Sequence, residues 1–324
     1  MKIVITGSGG RLGAALMREY REKFDVTGFN HAQLDLTNSD KIRAKLGSLG
    51  FDVLINTAAL TNVDLCEKEP EQAFRINAEA PRVFAEICRQ QNAKLIHFST
   101  DYVFDGAKAE PYGENDPARP ISVYGQSKKA GEENVLAGQD RHLVVRLSWV
   151  FGPDRPSFVD GMIARAREDE QIAAVTDKFS TPTYTRDIAE MLQGIVAGVG
   201  DPGRTKMRPH DSKDAGVNDP DYSGDPGYSG ILHFANGGGC SWQEYAQYAI
   251  DCCHEFGVPL KARTVAPLKL SEMKNFIARR PVYSVLSTAK YNSLAGTAPR
   301  PWRDAVAEYV RDFVRDKRLS PPVL

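Results

Sequence analysis

Tyr124 and Lys128 stand four positions apart, so on a helix they share one face about a turn apart. A free phenol ionises near pH ~10, and a nearby ammonium favours the phenolate, so the pair has the makings of an acid for work near neutrality. The spacing alone is common in chains of this length and needs a third element. Ser99-Thr100-Asp101 supplies it, because it follows the apolar run Lys94 to Phe98 and so falls at the carboxyl edge of a strand. Hydroxyls there can hydrogen-bond a carbonyl that is being reduced, although the same tripeptide could serve as a turn or a helix cap.

A hydride source is suggested at the start of the chain. Gly7, Gly10 and Gly13 follow the run Lys2 to Thr6 and open a helix, in a G-x-x-G-x-x-G pattern. Such a turn lets backbone amides approach a pyrophosphate and lets the helix pack close to its strand. Selection of NAD ordinarily uses an acidic residue at the end of the second strand, which here, Asp25 to Phe29, ends in Asn30 and His31. With that carboxylate missing and Arg11 inside the turn, NADPH with NADH tolerated is the expected cofactor. Arg11 would then face the 2′-phosphate, its plainer alternative being a solvated side chain on the first helical turn. Asp35 and Leu36 are placed to reach an adenine ring. Asn56, Thr57, Ala58 and Ala59 follow the apolar strand at Val53, where small side chains leave room for a cofactor or simply for tight helix packing.

The elements that must position these residues are strands at Lys2 to Thr6, Asp25 to Phe29, Val53 to Asn56, Lys94 to Phe98 and His142 to Leu147. Helices are expected to begin near Leu12, Asp40, Pro70, Pro81 and Val123. The alternation predicts an α/β fold, a doubly wound parallel sheet covered on both faces. The expected organisation is a dinucleotide-binding domain over 1–150, rejoined by roughly 176–197 and 231–256, with a smaller, discontinuous substrate-binding domain from 151–175 and 257–324. Residues 198–230, rich in Gly, Pro and Asp, read as an inserted loop before a strand at Ile231 to Ala235.

Composition excludes several other classes. The chain has 324 residues and a formal net charge of -1, with no basic stripe suited to nucleic acid. Five cysteines without a C-x-x-C pair fit a reduced, cytoplasmic setting. The N-terminus reads as a first strand rather than a signal peptide, and no apolar run is long enough to span a membrane. The His and Cys residues show no metal-ligand spacing.

Beyond these local readings, the chain resembles the dTDP-4-dehydrorhamnose reductases, which are extended short-chain dehydrogenases/reductases of Rossmann type. The resemblance runs through Thr61, Val63, Asp64, Glu67 and Asn77, then Ser99-Thr100-Asp101-Tyr102-Val103-Phe104-Asp105-Gly106, Pro111-Tyr112 with Glu114, Tyr124-Gly125 with Ser127-Lys128, and Gly131-Glu132. It continues in Ser148-Trp149-Val150-Phe151-Gly152, Pro182-Thr183, Ser241-Trp242, Ala278-Arg279-Arg280-Pro281 with Ser284 and Leu286, and Trp302.

The resemblance implies catalysis by Thr100, Tyr124 and Lys128. It implies a cofactor site lined by Gly10, Arg11, Leu12, Asp35, Leu36, Ala58, Ala59, Leu60, Tyr124 and Lys128, and sugar-nucleotide contacts from Thr100, Asp101 and Trp149. The implied reaction reduces the C4 ketone of a 4-keto-6-deoxy sugar, with Lys128 lowering the pKa of Tyr124. A homodimer and magnesium dependence are implied by resemblance only, the latter with no ligands that map onto this sequence. Trp242 and Trp302 read as structural.

The chain departs from the family pattern at Asp177-Lys178-Phe179-Ser180-Thr181-Pro182-Thr183, where the family's Gln-x-Gly is replaced. Ser148 stands for the usual Thr and Leu60 for a more common aromatic. Two rival readings stay open: a non-catalytic cofactor-binding regulatory subunit on the same fold, and a related nucleotide-sugar epimerase. A dehydratase is disfavoured because Asp101 is followed by Tyr102 rather than by a second acid.

Overall fold

The computed structural model describes residues 1–137, 141–199 and 228–315. Its first half runs β1 (Lys2–Thr6), α1 (Arg11–Tyr20), β2 (Asp25–Phe29), α2 (Ser39–Gly47), β3 (Val53–Asn56), α3 (Val63–Lys68), α4 (Pro70–Phe74), a π-helical turn at Arg75–Glu79, α5 (Ala80–Gln91), β4 (Lys94–Thr100), a 3-10 turn at Asp101–Val103, α6 (Val123–Leu136) and β5 (Leu143–Leu147). The remainder comprises β6 (Val150–Phe151), α7 (Phe158–Glu168), β7 (Ile172–Val175), β8 (Phe179–Ser180), β9 (Thr183–Tyr184), α8 (Thr185–Ala197), β10 (Gly230–Phe234), β11 (Cys240–Ser241), α9 (Trp242–Glu255), β12 (Val265–Leu268), a 3-10 turn at Leu270–Glu272, α10 (Ala289–Ala295) and α11 (Trp302–Arg315).

Six parallel strands form the central sheet in the order β10-β5-β4-β3-β1-β2, which is the doubly wound architecture that the alternating pattern implies. β3, β4 and β5 are buried along their whole length because helices cover both faces. Strand alternation divides the core. Ile3 and Ile5 pack on one face with Leu16, Tyr20, Ile188 and Leu192, whereas Val4 packs on the other with Ile42, Leu54, Val83 and Leu95.

From β1 the chain passes to β2 on one side and then to β3 on the other, so the topology switches direction at β1. Open α/β sheets bind ligands in the crevice beyond the carboxyl ends of strands at such a point. The glycine turn and the segment after β3 both emerge there.

A second core gathers Val159 and Ile163 of α7, Ile172 of β7, Val265 of β12, Trp302, Val306 and Val310 of α11, and Tyr245, Ala249 and Ile250 of α9. The placement of α9 corrects the expected boundary at 256: β10 rejoins the sheet, but α9 packs with α7, α11, β7 and β12. Its apolar face could be read from periodicity, but not which of two cores that face would meet. Likewise, of the expected 176–197 return, α8 covers the sheet, while β8 and β9 pair with β11 and β6. Most of the expected inserted loop, 200–227, lies outside the described residues. Among the described residues no helix is long and apolar enough to cross a membrane.

Candidate active site

The glycine turn is built around two close approaches. Gly7 has φ +74°, and a Cβ on Gly13 would lie 2.2 Å from the Gly7 carbonyl oxygen, so a side chain there would push α1 off its strand. Gly10 donates its N–H to that same oxygen at 2.8 Å and begins α1 without any side-chain cap or first-turn acid. The first-turn amides of Arg11, Leu12 and Gly13 are thereby left for an anion, and the cradle fits a dinucleotide phosphate. Thr57 ties the neighbouring loop to this turn by donating its hydroxyl to the Thr6 carbonyl at 2.7 Å.

Arg11 does not stand where the sequence reading put it. Its guanidinium donates to the carbonyls of Val150 at 3.2 Å, Arg155 at 3.3 Å and Pro156. Burial lowers its pKa, with Asp160 opposing that effect, and the side chain clamps the 150–156 segment rather than facing a ribose phosphate. Asp35 binds the N–H and hydroxyl of Thr37 at 3.0 and 2.6 Å, and Leu36 is buried in the core with Phe29 and Leu54. Ala58 and Ala59 are half-buried just past β3. The Leu60 backbone is pinned from both sides by Asn77, whose Oδ1 accepts at 2.8 Å and whose Nδ2 donates at 3.0 Å. Asn77 sits in the π-helical turn, a local irregularity that recurs at functional sites.

The side chains expected to be catalytic meet where β4 runs into α6. Thr100 ends β4, accepts the Tyr102 N–H at 3.2 Å and donates to Asp101 Oδ1 at 3.1 Å. Ser122 caps α6 by accepting the Gly125 N–H at 3.2 Å, and Glu67 accepts the Val123 N–H at 2.8 Å. A Cβ on Gly125 would lie 2.2 Å from the Tyr102 carbonyl oxygen. Only glycine lets the first turn of α6 sit this close to the Thr100 loop.

Tyr124 is consequently buried against Tyr102, with ring centroids 5.6 Å apart. Burial pushes its phenol above the ordinary value, while a hydrogen bond with the Thr100 side chain acts in the opposite direction. The phenol is therefore protonated at neutral pH. Lys128, also buried, donates to the Phe98 carbonyl at 2.6 Å and lies 3.3 Å from His97 Nε2. Burial lowers its pKa to about 8, with Glu132 opposing. The Lys128 amine is turned to the strand, and for Tyr124 burial of the phenol outweighs what lowers its pKa.

Asp101 is held from several elements at once. Its Oδ2 accepts from Ser148 at 3.2 Å, Ser180 at 2.9 Å and Ser284 at 2.6 Å. It sits behind Thr100 and is engaged with protein hydroxyls through both oxygens, which is not the arrangement of a side chain presented to a sugar. Lys178 is buried nearby, donating to the Pro281 carbonyl at 2.9 Å with its ammonium 5.0 Å from the Tyr102 ring centre. Burial lowers its pKa to about 8, and Asp101 pulls it the other way.

Trp149 lies two residues past Leu147, the register partner of Thr100. Its φ of +44° is left-handed, a conformation that costs a bulky residue about 1–3 kcal/mol and is held here by an aromatic cluster. Phe158, Trp242 and Tyr245 surround it, with centroids at 5.2, 5.6 and 4.8 Å. Trp242, read from sequence as structural, belongs to this same wall and is only partly buried. His97, Ser180 and Ser284 escaped the sequence reading as participants, because a histidine inside a strand and isolated serines carry no local signature.

Among the described residues no three His, Cys, Asp or Glu side chains converge as a metal site, so the magnesium dependence implied by resemblance finds no matching ligand set. A switch-point glycine turn, a hydroxyl at the end of β4 and a Tyr-x-x-x-Lys helix together define a nicotinamide-dependent oxidoreductase of the extended short-chain class. The family model described as the RmlD substrate binding domain matches residues 1–206 and 219–315. The chain is 36% identical to the dTDP-4-dehydrorhamnose reductase of Mycolicibacterium smegmatis over 97% of its own length and 86% of the relative's. It is 34% identical to a probable dTDP-4,6-dihydroxy-2-methyloxan-3-one 4-ketoreductase of Streptomyces antibioticus, over 97% of this chain and 96% of that one. The structure resembles the dTDP-4-dehydrorhamnose reductase of Bacillus anthracis in complex with NADP, with a TM-score of 0.81, 30% identity, and 96% and 99% of the two chains covered. The chain belongs to the dTDP-4-dehydrorhamnose reductase family.

Proposed function

We propose that the protein reduces the C4 ketone of a nucleotide-linked 4-keto-6-deoxy sugar, with dTDP-4-dehydro-L-rhamnose giving dTDP-L-rhamnose as the preferred reaction. NADPH is the proposed donor, with NADH accepted. The observation that carries this reading is the contact of a buried, protonated Tyr124 with Thr100 at the end of β4, in a chain of this family. The nicotinamide supplies the hydride when it is bound.

As negative charge develops on the ketone oxygen, Tyr124 gives it a proton and Thr100 donates a hydrogen bond to it. Thr100 can do so by turning its proton from Asp101, so Asp101 acts as the group that positions Thr100 rather than as a direct substrate contact. Lys128 holds the ribose next to the nicotinamide, and Trp149, with Trp242 behind it, forms the apolar wall on which the sugar lies. All five cysteines are free and buried, which supports a reducing, cytoplasmic setting.

The decisive assay follows NADPH and NADH oxidation with dTDP-, UDP- and GDP-linked 4-keto sugars, with identification of the product. Stoichiometric oxidation coupled to dTDP-L-rhamnose is the expected outcome. Absence of oxidation with every sugar, or sugar conversion without net NADPH consumption, would overturn the reading.

A further inference from the structure

We propose that Arg155, rather than Arg11, is the residue that recognises the 2′-phosphate of the cofactor. The inference rests on the NADPH reading above and adds the side chain that produces the preference. Arg155 Nε donates to the carbonyl of Gly9, in the middle of the glycine turn, at 2.9 Å. A Cβ built on Gly9 would lie 4.0 Å from Arg155 Nη2 and 3.4 Å from Asn30 Cβ. The guanidinium thus stands over the turn beside the residue that follows β2. That is the place where a dinucleotide fold holds the adenosine ribose 2′ position, through a carboxylate for a free hydroxyl or an arginine for a phosphate.

The rest of the corner is arranged for an anion. Ser8 donates its N–H to the Phe29 carbonyl at 3.1 Å, locking the turn against the end of β2. No carboxylate takes the usual place, since Asn30 occupies it and its Oδ1 accepts the Gln33 N–H at 3.2 Å. The neighbouring acid, Asp154, is ion-paired with Arg18. Arg155 is exposed, and among the described residues its two terminal nitrogens have no hydrogen-bond partner, so both are available to a phosphate.

Arg11 has a supporting part in the same assembly. By donating to the carbonyls of Val150, Arg155 and Pro156 it fixes the backbone from which Arg155 projects. The two arginines are 144 positions apart in sequence, so no local motif joins them.

Calorimetric titration with adenosine 2′,5′-bisphosphate and adenosine 5′-monophosphate isolates the 2′-phosphate without any turnover. Wild type is expected to prefer the bisphosphate, and Arg155→Gln to cut that preference about tenfold, the equivalent of one charge-assisted hydrogen-bonded pair, while binding the monophosphate as before. Arg155→Lys, which keeps the charge but not the fork, should fall between the two. A preference retained in full by Arg155→Gln overturns the assignment, as does loss of monophosphate binding in that variant, which would make Arg155 structural. A wild type with no preference for the bisphosphate overturns the NADPH reading itself, and the assignment with it.

Discussion

Asn56 donates its side-chain amide to Nδ1 of His97 at 2.8 Å, and this contact fixes the protonation of the imidazole. The amide cannot be turned over, because Asn56 Oδ1 accepts the Thr6 hydroxyl at 2.7 Å and the Ala58 N–H at 3.1 Å. With Nδ1 an acceptor, the neutral ring carries its proton on Nε2, on the side of Lys128; the tautomer is assigned from the network. Burial, reinforced by the charge of Lys128, holds His97 well below its ordinary pKa.

Acid should therefore loosen the molecule well above the carboxylate range. Burial also lowers His142 to about 4 and His233 to about 3. For each ring the unfolded chain binds a proton that the folded chain refuses. Stability is thus full above the unfolded value of about 6.5 and declines as pH falls below it. Urea midpoints at pH 7.5, 5.5 and 4.5 should fall progressively. A midpoint independent of pH over this span would contradict the assignment of neutral buried rings.

Replacement of Tyr124 by Phe removes the proposed proton donor and keeps the ring that packs on Tyr102. Turnover should drop by about 10²–10⁴-fold, the usual contribution of a positioned acid, with NADPH affinity within about twofold of wild type. Stopped-flow reduction together with cofactor titration measures both. A variant that keeps near-normal turnover would remove Tyr124 from the chemistry.

Lys178 occupies a position where the family commonly has glutamine, and its pKa is drawn down to about 8. Between that value and the ordinary value of 10.5 the unfolded chain holds a proton the folded chain has released, so this lysine makes stability rise with pH across the window. Lys178→Gln should flatten the rise relative to wild type in urea unfolding at pH 7.5 to 10. An unchanged slope would show that the amine is charged in the folded protein throughout.

The Gly125→Ala variant tests whether close approach of α6 matters for catalysis. The added methyl meets the Tyr102 carbonyl, and relief of the clash must displace the first turn of α6 and Tyr124 with it. A stability loss of about 1–3 kcal/mol is expected from overpacking. A fall in kcat of up to about 10²-fold should accompany it, from misplacement of the proposed proton donor. Loss of stability with kcat intact would separate the packing from the chemistry.

What could be read from the sequence was whatever is encoded locally. The glycine turn, the Tyr124–Lys128 spacing and the apolar strands depend on neighbours within a few positions, and they define the sheet and the chemical pair. The clamping role of the Arg11 side chain was not legible because its partners are the carbonyls of a segment more than 130 residues away, at Val150, Arg155 and Pro156. The grouping of Ser148, Ser180 and Ser284 around Asp101 was hidden for the same reason, and α9 joined the second core because amphipathic spacing names a buried face but not its neighbour.

The three serines on Asp101 Oδ2 have a mechanical consequence. They come from the end of β5, from β8 and from the segment before Leu286, and they converge beside Thr100. Three stretches far apart in the chain are thereby tied to one carboxylate oxygen, whose partner oxygen accepts from Thr100, so the hydroxyl at the end of β4 is braced by the sheet and by the segments beyond it together.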